Sequence, residues 1–252
     1  LTTRRQRQMC IRDSKYALPA WCDSHTHLVF AASRSNEFLS RLEGKSYQEI
    51  AAEGGGILNS ARALQAMSEA DLLADARNRL QQAIRTGTGS IEIKSGYGLT
   101  AEAELKMLRV IRALKEEFTI PIKATFLACH AVPEGEWTAA TWTAHIIDQA
   151  LPVVANEGLA DYVDAFCEKG YFGLEETQSL LDAASSHGIL SKVHVNQFNV
   201  FGGVKLCVNS NAVSVDHLEE LSSEDIETLK YAADSSNPTF ATALPGCSYF
   251  LG

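Results

Sequence analysis

The chain has 252 residues, a formal net charge of −9 and a pI of about 5.3. This acidic balance argues against the basic surface with which proteins bind nucleic acid or anionic lipid. No apolar run approaches the roughly 20 residues needed to cross a bilayer, and no apolar secretory signal is visible near the start. The six scattered cysteines form no C-x-x-C pair, which favours reduced thiols. We therefore expect a cytoplasmic protein without nucleic-acid or membrane partners.

The start of the chain differs from the rest. Residues 1–14 are rich in Arg and Gln and have no periodicity. We interpret them as a non-native or disordered extension, with a disordered basic arm as the alternative. Residues 15–252 are then expected to form one partial domain.

Strand and helix patterns alternate from residue 18 to the end of the chain. The predicted strands are 18–29, 90–94, 121–129, 162–167, 190–195, 212–215 and 239–244. The predicted helices are 47–52, 68–85, 100–118, 137–149, 174–187, 203–208 and 222–231. The strands are short and continuously apolar, as in a sheet buried on both faces. Their alternation with helices predicts a parallel sheet built from βα units.

Seven predicted strands leave two architectures open. A closed (β/α)₈ barrel needs eight strands. A doubly wound open sheet is the alternative, but the chain lacks the Gly-x-Gly-x-x-Gly fingerprint of a dinucleotide-binding fold. The candidate metal ligands favour the barrel, because they follow several different strands and only a barrel brings those carboxyl ends into one mouth.

These candidate ligands are histidines. His25 and His27 follow the first strand with the i, i+2 spacing that points two side chains to one side. His130, His194 and His217 end the third, fifth and sixth strands. Imidazole nitrogens are favoured ligands of Zn²⁺ and similar ions, so the sequence predicts a metal site at the barrel mouth.

The order of these histidines resembles the amidohydrolase superfamily, whose barrels bind one or two metals. Local motifs are similar to those of the imidazolonepropionase family. They are 23–30 (DSHTHLVF), 33–38 (SRSNEF), 92–99 (EIKSGYGL), 129–133 (CHAVP), 166–170 (FCEKG), 216–219 (DHLE) and 244–246 (LPG). The resemblance covers nearly all of residues 18–252. It implies a (β/α)₈ barrel of the TIM type, here incomplete.

The resemblance also implies a reaction and a cofactor. The reaction is hydrolysis of the cyclic amide C–N bond of 4-imidazolone-5-propanoate to N-formimidoyl-L-glutamate, in histidine degradation. The cofactor is one divalent or trivalent metal ion, Zn or Fe, since imidazole suits both. Relatives with two metals use a carbamylated lysine from strand 4, but that strand ends here at Cys167-Glu168, which favours one metal. A homodimer is common in the family.

Roles carried over by the resemblance fall on named residues. The implied metal ligands are His25, His27 and His194, and His217 would orient or deprotonate the attacking water. The implied substrate contacts are Arg34, Tyr97, His130 and Gln197, with Tyr47 as a weaker candidate. Arg34 would bind the propanoate as a bidentate partner. Without the motif, a surface pair between Arg34 and Glu37 is the simpler interpretation.

Two departures from the family pattern shape our expectations. Gln197 stands where some relatives have Glu, and an amide cannot act as a general base. The sequence also lacks the Asp ligand expected from an eighth strand, and the β-sandwich that flanks the barrel. We therefore expect this chain alone to be inactive. The alternatives are another mononuclear amidohydrolase or aminohydrolase, and a non-catalytic fragment with a partial metal site.

Overall fold

The computed structural model describes residues 18–33, 35–44 and 57–251 of the chain. Its strands are β1 (Trp21–Asp23), β2 (Thr88–Lys94), β3 (Ile122–Cys129), β4 (Tyr162–Cys167), β5 (Leu190–Val195), β6 (Ser214–His217) and β7 (Phe240–Ala243). Its α-helices are α1 (Ser35–Leu42), α2 (Ile57–Ala66), α3 (Glu69–Arg85), α4 (Ala101–Glu117), α5 (Ala139–His145), α6 (Leu151–Glu157), α7 (Leu174–Ser186), α8 (Gly203–Asn209), α9 (Ser223–Ala233) and α10 (Pro245–Leu251). The predicted extension 1–14 and the predicted helix 47–52 lie outside the described residues.

The described strands form one parallel sheet in chain order, from β1 to β7. A doubly wound open sheet reverses its strand order at a switch point, and this sheet has no reversal. The sheet is also strongly curled, because His25, just after β1, lies 2.7 Å from Asp216 on β6. Five strand spacings in a flat sheet would separate them by roughly 24 Å. The fold is an incomplete (β/α)₈ barrel, as predicted.

Helix boundaries follow the capping signals in the sequence. Ser68 accepts a hydrogen bond from the backbone N–H of Asp71 at the start of α3, and Thr100 accepts one from Ala103 at the start of α4. These contacts satisfy N–H groups that have no partner within the helix. The predicted apolar stripe of α4 is buried against the sheet, as expected for an amphipathic helix: Leu105, Leu108, Ile111 and Leu114.

The first strand is much shorter than the prediction of 18–29. Only Trp21–Asp23 form a regular ladder, and in the described residues β1 pairs with β2 alone. Beyond Asp23 the chain still follows β2 through isolated contacts: Lys94 N–H donates to Thr26 O, and Thr26 Oγ1 donates to Glu92 O. The prediction was wrong because an apolar run does not reveal that only one neighbour is available to it.

Helical regions show the other differences from the sequence prediction. The helix predicted at 137–149 begins as α5, passes through a π-helical segment (Ile146–Ala150) and continues as α6. Pro152 lies in the first turn of α6, where its missing N–H is tolerated. No helix was predicted for the segments that form α1, α2 and α10. The sixth strand, predicted at 212–215, lies at 214–217 and so includes Asp216 and His217.

The barrel is open between β1 and β7, which are not paired with each other in the described residues. A cavity of about 550 Å³ lies at the amino-terminal ends of the strands, lined by residues such as Ser90, Lys123, Tyr162 and Phe240. This end is opposite to the predicted metal ligands. Among the described residues, no helix is long and apolar enough to cross a membrane.

Candidate metal centre

Five histidines meet at the carboxyl ends of the strands. Ring centroids are 4.4 Å apart for His25 and His194, 5.0 Å for His194 and His217, and 5.1 Å for His27 and His130. These residues come from the ends of β1, β3, β5 and β6, so the curled sheet is what assembles them. The structure therefore brings together all five histidines that the sequence singled out at strand ends.

The ligand atoms of these histidines form two overlapping groups. His25, His194 and His217 make one, and His27, His130 and His194 make the other, with all ligand atoms within 4.8 Å of one another in each. The predicted trio His25, His27 and His194 is divided between the two groups, with His194 shared. Centroids of His25 and His27 are 5.5 Å apart, and those of His27 and His194 are 5.7 Å apart.

Burial keeps most of these imidazoles neutral at pH 7. It lowers the pKa of His27 and His194 well below the usual value, and neighbouring histidines act in the same direction. Burial also lowers the pKa of His217, and that of His130 to about 4. The neutral imidazole is the form that binds a metal ion, so the ring nitrogens are ready to act as ligands without losing a proton.

Two buried nitrogens in this cluster, Nδ1 of His27 and Nε2 of His194, have no polar partner within the described part of the chain. Nδ1 of His194 makes no well-aligned hydrogen bond either, but it lies 2.8 Å from Asp164 Oδ2. A buried polar atom left without a partner costs roughly 1–3 kcal/mol, so such atoms are rare without a reason. The all-nitrogen donor set and the lone pairs without partners fit a bound Zn or Fe ion.

A layer of charged side chains lies beneath the histidines, inside the barrel. Asp216 Oδ2 lies 2.7 Å from His25 Nδ1, and Asp164 Oδ2 lies 2.8 Å from His194 Nδ1. Burial alone would raise the pKa of Asp216, but His25 and the ammonium groups of Lys94 and Lys192 together hold it below its usual range. Such carboxylates next to ligand imidazoles fix ring orientation and tautomer.

Sequence reasoning assigned no role at the site to most of this layer. It comprises Glu92, Lys94, Asp164, Lys192 and Asp216, and these side chains are at most 5% exposed. One pattern in the sequence could have revealed this layer: charged residues stand at alternate positions, i and i+2, of strands that are otherwise apolar. Such residues face the barrel interior, where a charge requires a partner.

The predicted substrate contacts Tyr97 and His130 lie beside His27. Centroid distances are 5.3 Å from His27 to Tyr97 and 5.4 Å from Tyr97 to His130, and His130 Nδ1 lies 3.0 Å from Gly96 O. A cavity of about 220 Å³ next to them is lined by residues that include His27, Phe30 and Tyr97. Tyr97 and His130 thus lie at the mouth, and their contact with a substrate stays a prediction.

The Tyr97 loop is held by Glu104 at the start of α4. This buried carboxylate accepts hydrogen bonds from the N–H groups of Gly96, Gly98 and Leu99, at 2.6 to 3.0 Å. A Cβ on Gly98 would lie 2.6 Å from the backbone nitrogen of Glu104, so only glycine fits there. The glycines that flank Tyr97 are therefore part of the scaffold that places its ring.

Gln197 lies in the loop after β5, which a second buried carboxylate organises. Glu168 accepts hydrogen bonds from Phe198 N–H and from Asn199 Nδ2, at 2.9 and 3.0 Å. The Gln197 amide itself donates to Cys247 Sγ at 3.8 Å. Arg34 and Tyr47, the predicted partners of the propanoate, lie outside the described residues.

His217 has an unusual backbone. Its φ is +89°, and φ of Leu218 is +64°, a left-handed region that non-glycine residues rarely adopt. This conformation costs of order 1–3 kcal/mol and is often found at functional sites. The His217 ring lies 3.3 Å from Glu219 Oε2, so a carboxylate flanks the imidazole proposed to act on water.

The chain is similar to known proteins over nearly its whole length. No protein-family model matches it. It is 52% identical over 238 residues to imidazolonepropionases of Christiangramia forsetii and Flavobacterium johnsoniae, which covers 94% of this chain and 57% of each relative. The chain thus spans somewhat more than half the length of these relatives.

Solved structures show the same fold at low sequence identity. An amidohydrolase from Burkholderia ambifaria with bound Zn has a TM-score of 0.61 and 19% identity, covering 93% of this chain and 67% of that one. Adenine deaminase from Arthrobacter aurescens has a TM-score of 0.61 and 14% identity, covering 93% and 74%. The chain is thus similar to imidazolonepropionases over 94% of its length, and it shares the barrel fold of these solved structures.

Proposed function

We propose that the protein represented by this chain hydrolyses the ring C–N bond of 4-imidazolone-5-propanoate to give N-formimidoyl-L-glutamate. The observation that carries the proposal is the cluster of five histidines in which Nδ1 of His27 and Nε2 of His194 have no hydrogen-bond partner among the described residues. The high identity to imidazolonepropionases supplies the substrate class. Because the chain spans only part of those relatives, the activity is proposed for the whole protein.

One metal ion, Zn or Fe, would be held by His25, His27 and His194. When bound, such an ion supplies a Lewis acid and lowers the pKa of a water molecule towards neutrality. His194 belongs to both histidine groups, so it is a candidate ligand in either of them. The family pattern adds an Asp ligand from an eighth strand, and this remains a prediction for the whole protein.

His217 would accept the proton of the attacking water. Its pKa is lowered by burial, so the ring is neutral and has a lone pair available at pH 7. Its centroid is 5.0 Å from that of His194, and this short distance supports a role next to the proposed metal. Gln197 cannot take this role because an amide is not a base.

The substrate would occupy the mouth next to His27. Tyr97 and His130 would contact the imidazolone ring, and Gln197 would hydrogen-bond to it. Arg34 would bind the propanoate through two parallel hydrogen bonds. The cavity beside Tyr97 and His27 supports this placement. A cytoplasmic location and a homodimer, both expected from the sequence, stay predictions.

Another amidohydrolase or aminohydrolase is the second candidate, because the fold is shared with deaminases. The test is a turnover assay on the purified, metal-loaded whole protein with imidazolonepropanoate, beside adenine and cytosine as aminohydrolase substrates. We expect the whole protein to hydrolyse imidazolonepropanoate but neither adenine nor cytosine. The chain of residues 1–252 without the rest of the protein should show negligible turnover. Substantial hydrolysis by that chain would mean that the eighth-strand Asp is dispensable.

His194→Ala is the decisive variant in the same assay. It removes the residue that both histidine groups share, so we expect metal affinity and turnover to fall by more than about a hundredfold, beyond the usual loss from an outer contact. His145→Ala is the control, since His145 packs against Trp137 and Trp142 away from the mouth. Equal losses in the two variants would contradict the assignment.

A further inference from the structure

Lys94 is a fully buried lysine that the proposed mechanism does not use. It is the last residue of β2, and its side chain points into the barrel beneath the histidines. Its ammonium donates to Glu92 Oε1 at 2.7 Å and to Asp164 Oδ2 at 2.9 Å, and lies 3.8 Å from Asp216 Oδ2. Burying an ammonium is costly, so three carboxylates around it need an explanation.

Two of these contacts continue to the candidate metal ligands through the same oxygen atoms. Asp164 Oδ2, which accepts from Lys94, is also 2.8 Å from His194 Nδ1. Asp216 Oδ2, which faces Lys94, is also 2.7 Å from His25 Nδ1. Asp164 is fixed further, because its other oxygen accepts the backbone N–H of His194. One ammonium is thus connected to two imidazoles on different strands.

We propose that Lys94 is a positioning residue for the metal centre. It holds the Oδ2 atoms of Asp164 and Asp216 against Nδ1 of His194 and His25, so that Nε2 of both rings is left as the ligand atom. A carboxylate that accepts from Nδ1–H fixes the tautomer of a ligand histidine. The inference rests on the metal site of the proposed function and adds the group that aligns two of its ligands.

Lys192 provides an internal comparison. It is also buried, donates to Glu92 Oε2 at 2.8 Å and to Ser24 O at 2.7 Å, and lies 3.5 Å from Asp216 Oδ2. Within the described residues, its ion pairs include Asp216 and Glu92 but not Asp164. Through Asp216, Lys192 is therefore connected to His25 only. Through Asp164 and Asp216, Lys94 is connected to both His194 and His25. A general need for buried positive charge would make the two lysines equivalent.

The test uses the 252-residue chain and two readouts that need no substrate. The first is Co²⁺ affinity, measured by competition with a chelator. The second is the tautomer of each imidazole in the metal-free chain, read from ¹⁵N chemical shifts of histidine-labelled protein. The variants are Lys94→Met, Lys192→Met and Glu92→Gln, with circular dichroism and thermal unfolding to verify that each is folded.

We expect Lys94→Met to weaken Co²⁺ binding by about 10- to 100-fold, the usual range for outer contacts of metal ligands. His25 and His194 should both change from the Nδ1–H tautomer to a mixture. Lys192→Met should affect His25 alone, and Glu92→Gln should change neither tautomer. If Lys94→Met does not fold, the double variant Lys94→Met/Glu92→Gln replaces it, because it removes a positive and a negative charge together. Its Co²⁺ affinity and histidine tautomers then test the role of Lys94.

A folded Lys94 variant with unchanged affinity and tautomers would overturn the inference and leave the proposed function intact. Equal effects of Lys94→Met and Lys192→Met on both histidines would also overturn it, because a general charge requirement would then suffice. If the wild-type chain binds no Co²⁺, the proposed metal site fails, and the tautomer measurement still decides the role of Lys94.

Discussion

Two layers of side chains fill the barrel interior: the histidines at the mouth form the upper layer, and the charged residues beneath them form the lower layer. The layers differ in whether their polar atoms have partners within the chain. In the upper layer, formed by the five histidines, Nδ1 of His27 and Nε2 of His194 have no hydrogen-bond partner within the described chain. In the lower layer, each of the charged side chains is paired: Glu92, Lys94, Asp164, Lys192 and Asp216. Burial lowers the pKa of four upper-layer histidines, His27, His130, His194 and His217, whereas opposite charges lie next to each other in the lower layer.

The two layers therefore have different proposed roles: the upper layer binds the metal, and the lower layer positions the metal ligands. A buried nitrogen without a partner is unfavourable in the metal-free chain. A metal ion that accepts its lone pair removes this cost, so the upper layer favours metal binding. The paired layer adds little net stability, because the desolvation of buried ions offsets their attraction. Removing one member is costly, however, so the lower layer holds one arrangement firmly. The contacts of Asp164 and Asp216 with the histidines connect the two layers.

The largest effect should come from breaking the lower layer. Asp164→Leu leaves the Lys94 ammonium without its 2.9 Å partner and removes the contact with His194. Breaking a buried pair by removing one partner destabilises by about 3–5 kcal/mol. Chemical denaturation of the metal-free chain measures this loss.

Glu157→Gln is the matched control for that variant. It removes a carboxylate that pairs with Arg109 and Arg112 on the surface, where water screens the charges. We expect its denaturation midpoint to stay close to that of the wild type. Similar losses in the two variants would mean that the interior layer is not special.

A smaller effect should follow from displacing the loop that places Tyr97. Gly98→Ala puts a Cβ within 2.6 Å of the Glu104 backbone nitrogen, so the loop must move. Overpacking of this kind costs about 1–3 kcal/mol. In the whole protein, we expect a raised KM for imidazolonepropanoate with metal affinity nearly unchanged, because the histidines keep their places.

Gly246→Ala is the comparison for Gly98→Ala, since nothing lies within 4 Å of a Cβ at that position. It should leave KM near the wild-type value. An unchanged KM in Gly98→Ala would show that the Tyr97 loop does not contact the substrate.

The upper layer was predictable from sequence and the lower layer largely was not. His25 and His27 are recognisable because their i, i+2 spacing at the end of an apolar run is joined by further histidines at other strand ends, and their convergence with His194 follows from barrel topology. Lys94 and Asp164 appear in sequence as single charges within strands. Their partners lie on other strands, so the pairing depends on curvature that no local pattern encodes.

The extent of β1 was unpredictable for a similar reason. Twelve residues had the composition of a strand, but a regular ladder requires a neighbour in register, and only Trp21–Asp23 have one. The division of the predicted trio of histidines between two groups is also a matter of side-chain placement within a few ångströms. Strand order and the convergence of the histidines follow from sequence, whereas the distances between their rings follow from packing.

The smallest effect, a change in stability with pH, should distinguish the two layers in one experiment. The pKa of His130 is lowered to about 4 in the folded chain from a usual value of 6.5. Between those values the unfolded chain binds a proton that the folded chain does not, so stability is lost as pH falls from 6.5 towards 4. Each such histidine contributes at most about 1.4 kcal/mol per pH unit, and His130 less because it is partly exposed.

Asp216 should act in a separate range. Its pKa is held below the usual 3.8, so its contribution is fully present above that value and is lost only as pH falls further. Denaturation of the metal-free chain from pH 7.5 to 3 measures both ranges. His130→Gln should flatten the slope between pH 6.5 and 4 while leaving the acid limb unchanged, and Asp216→Asn should do the reverse. A slope above pH 4 that is the same in His130→Gln and wild type would mean that His130 titrates normally in the folded chain. The upper layer would then not hold its imidazoles neutral by burial.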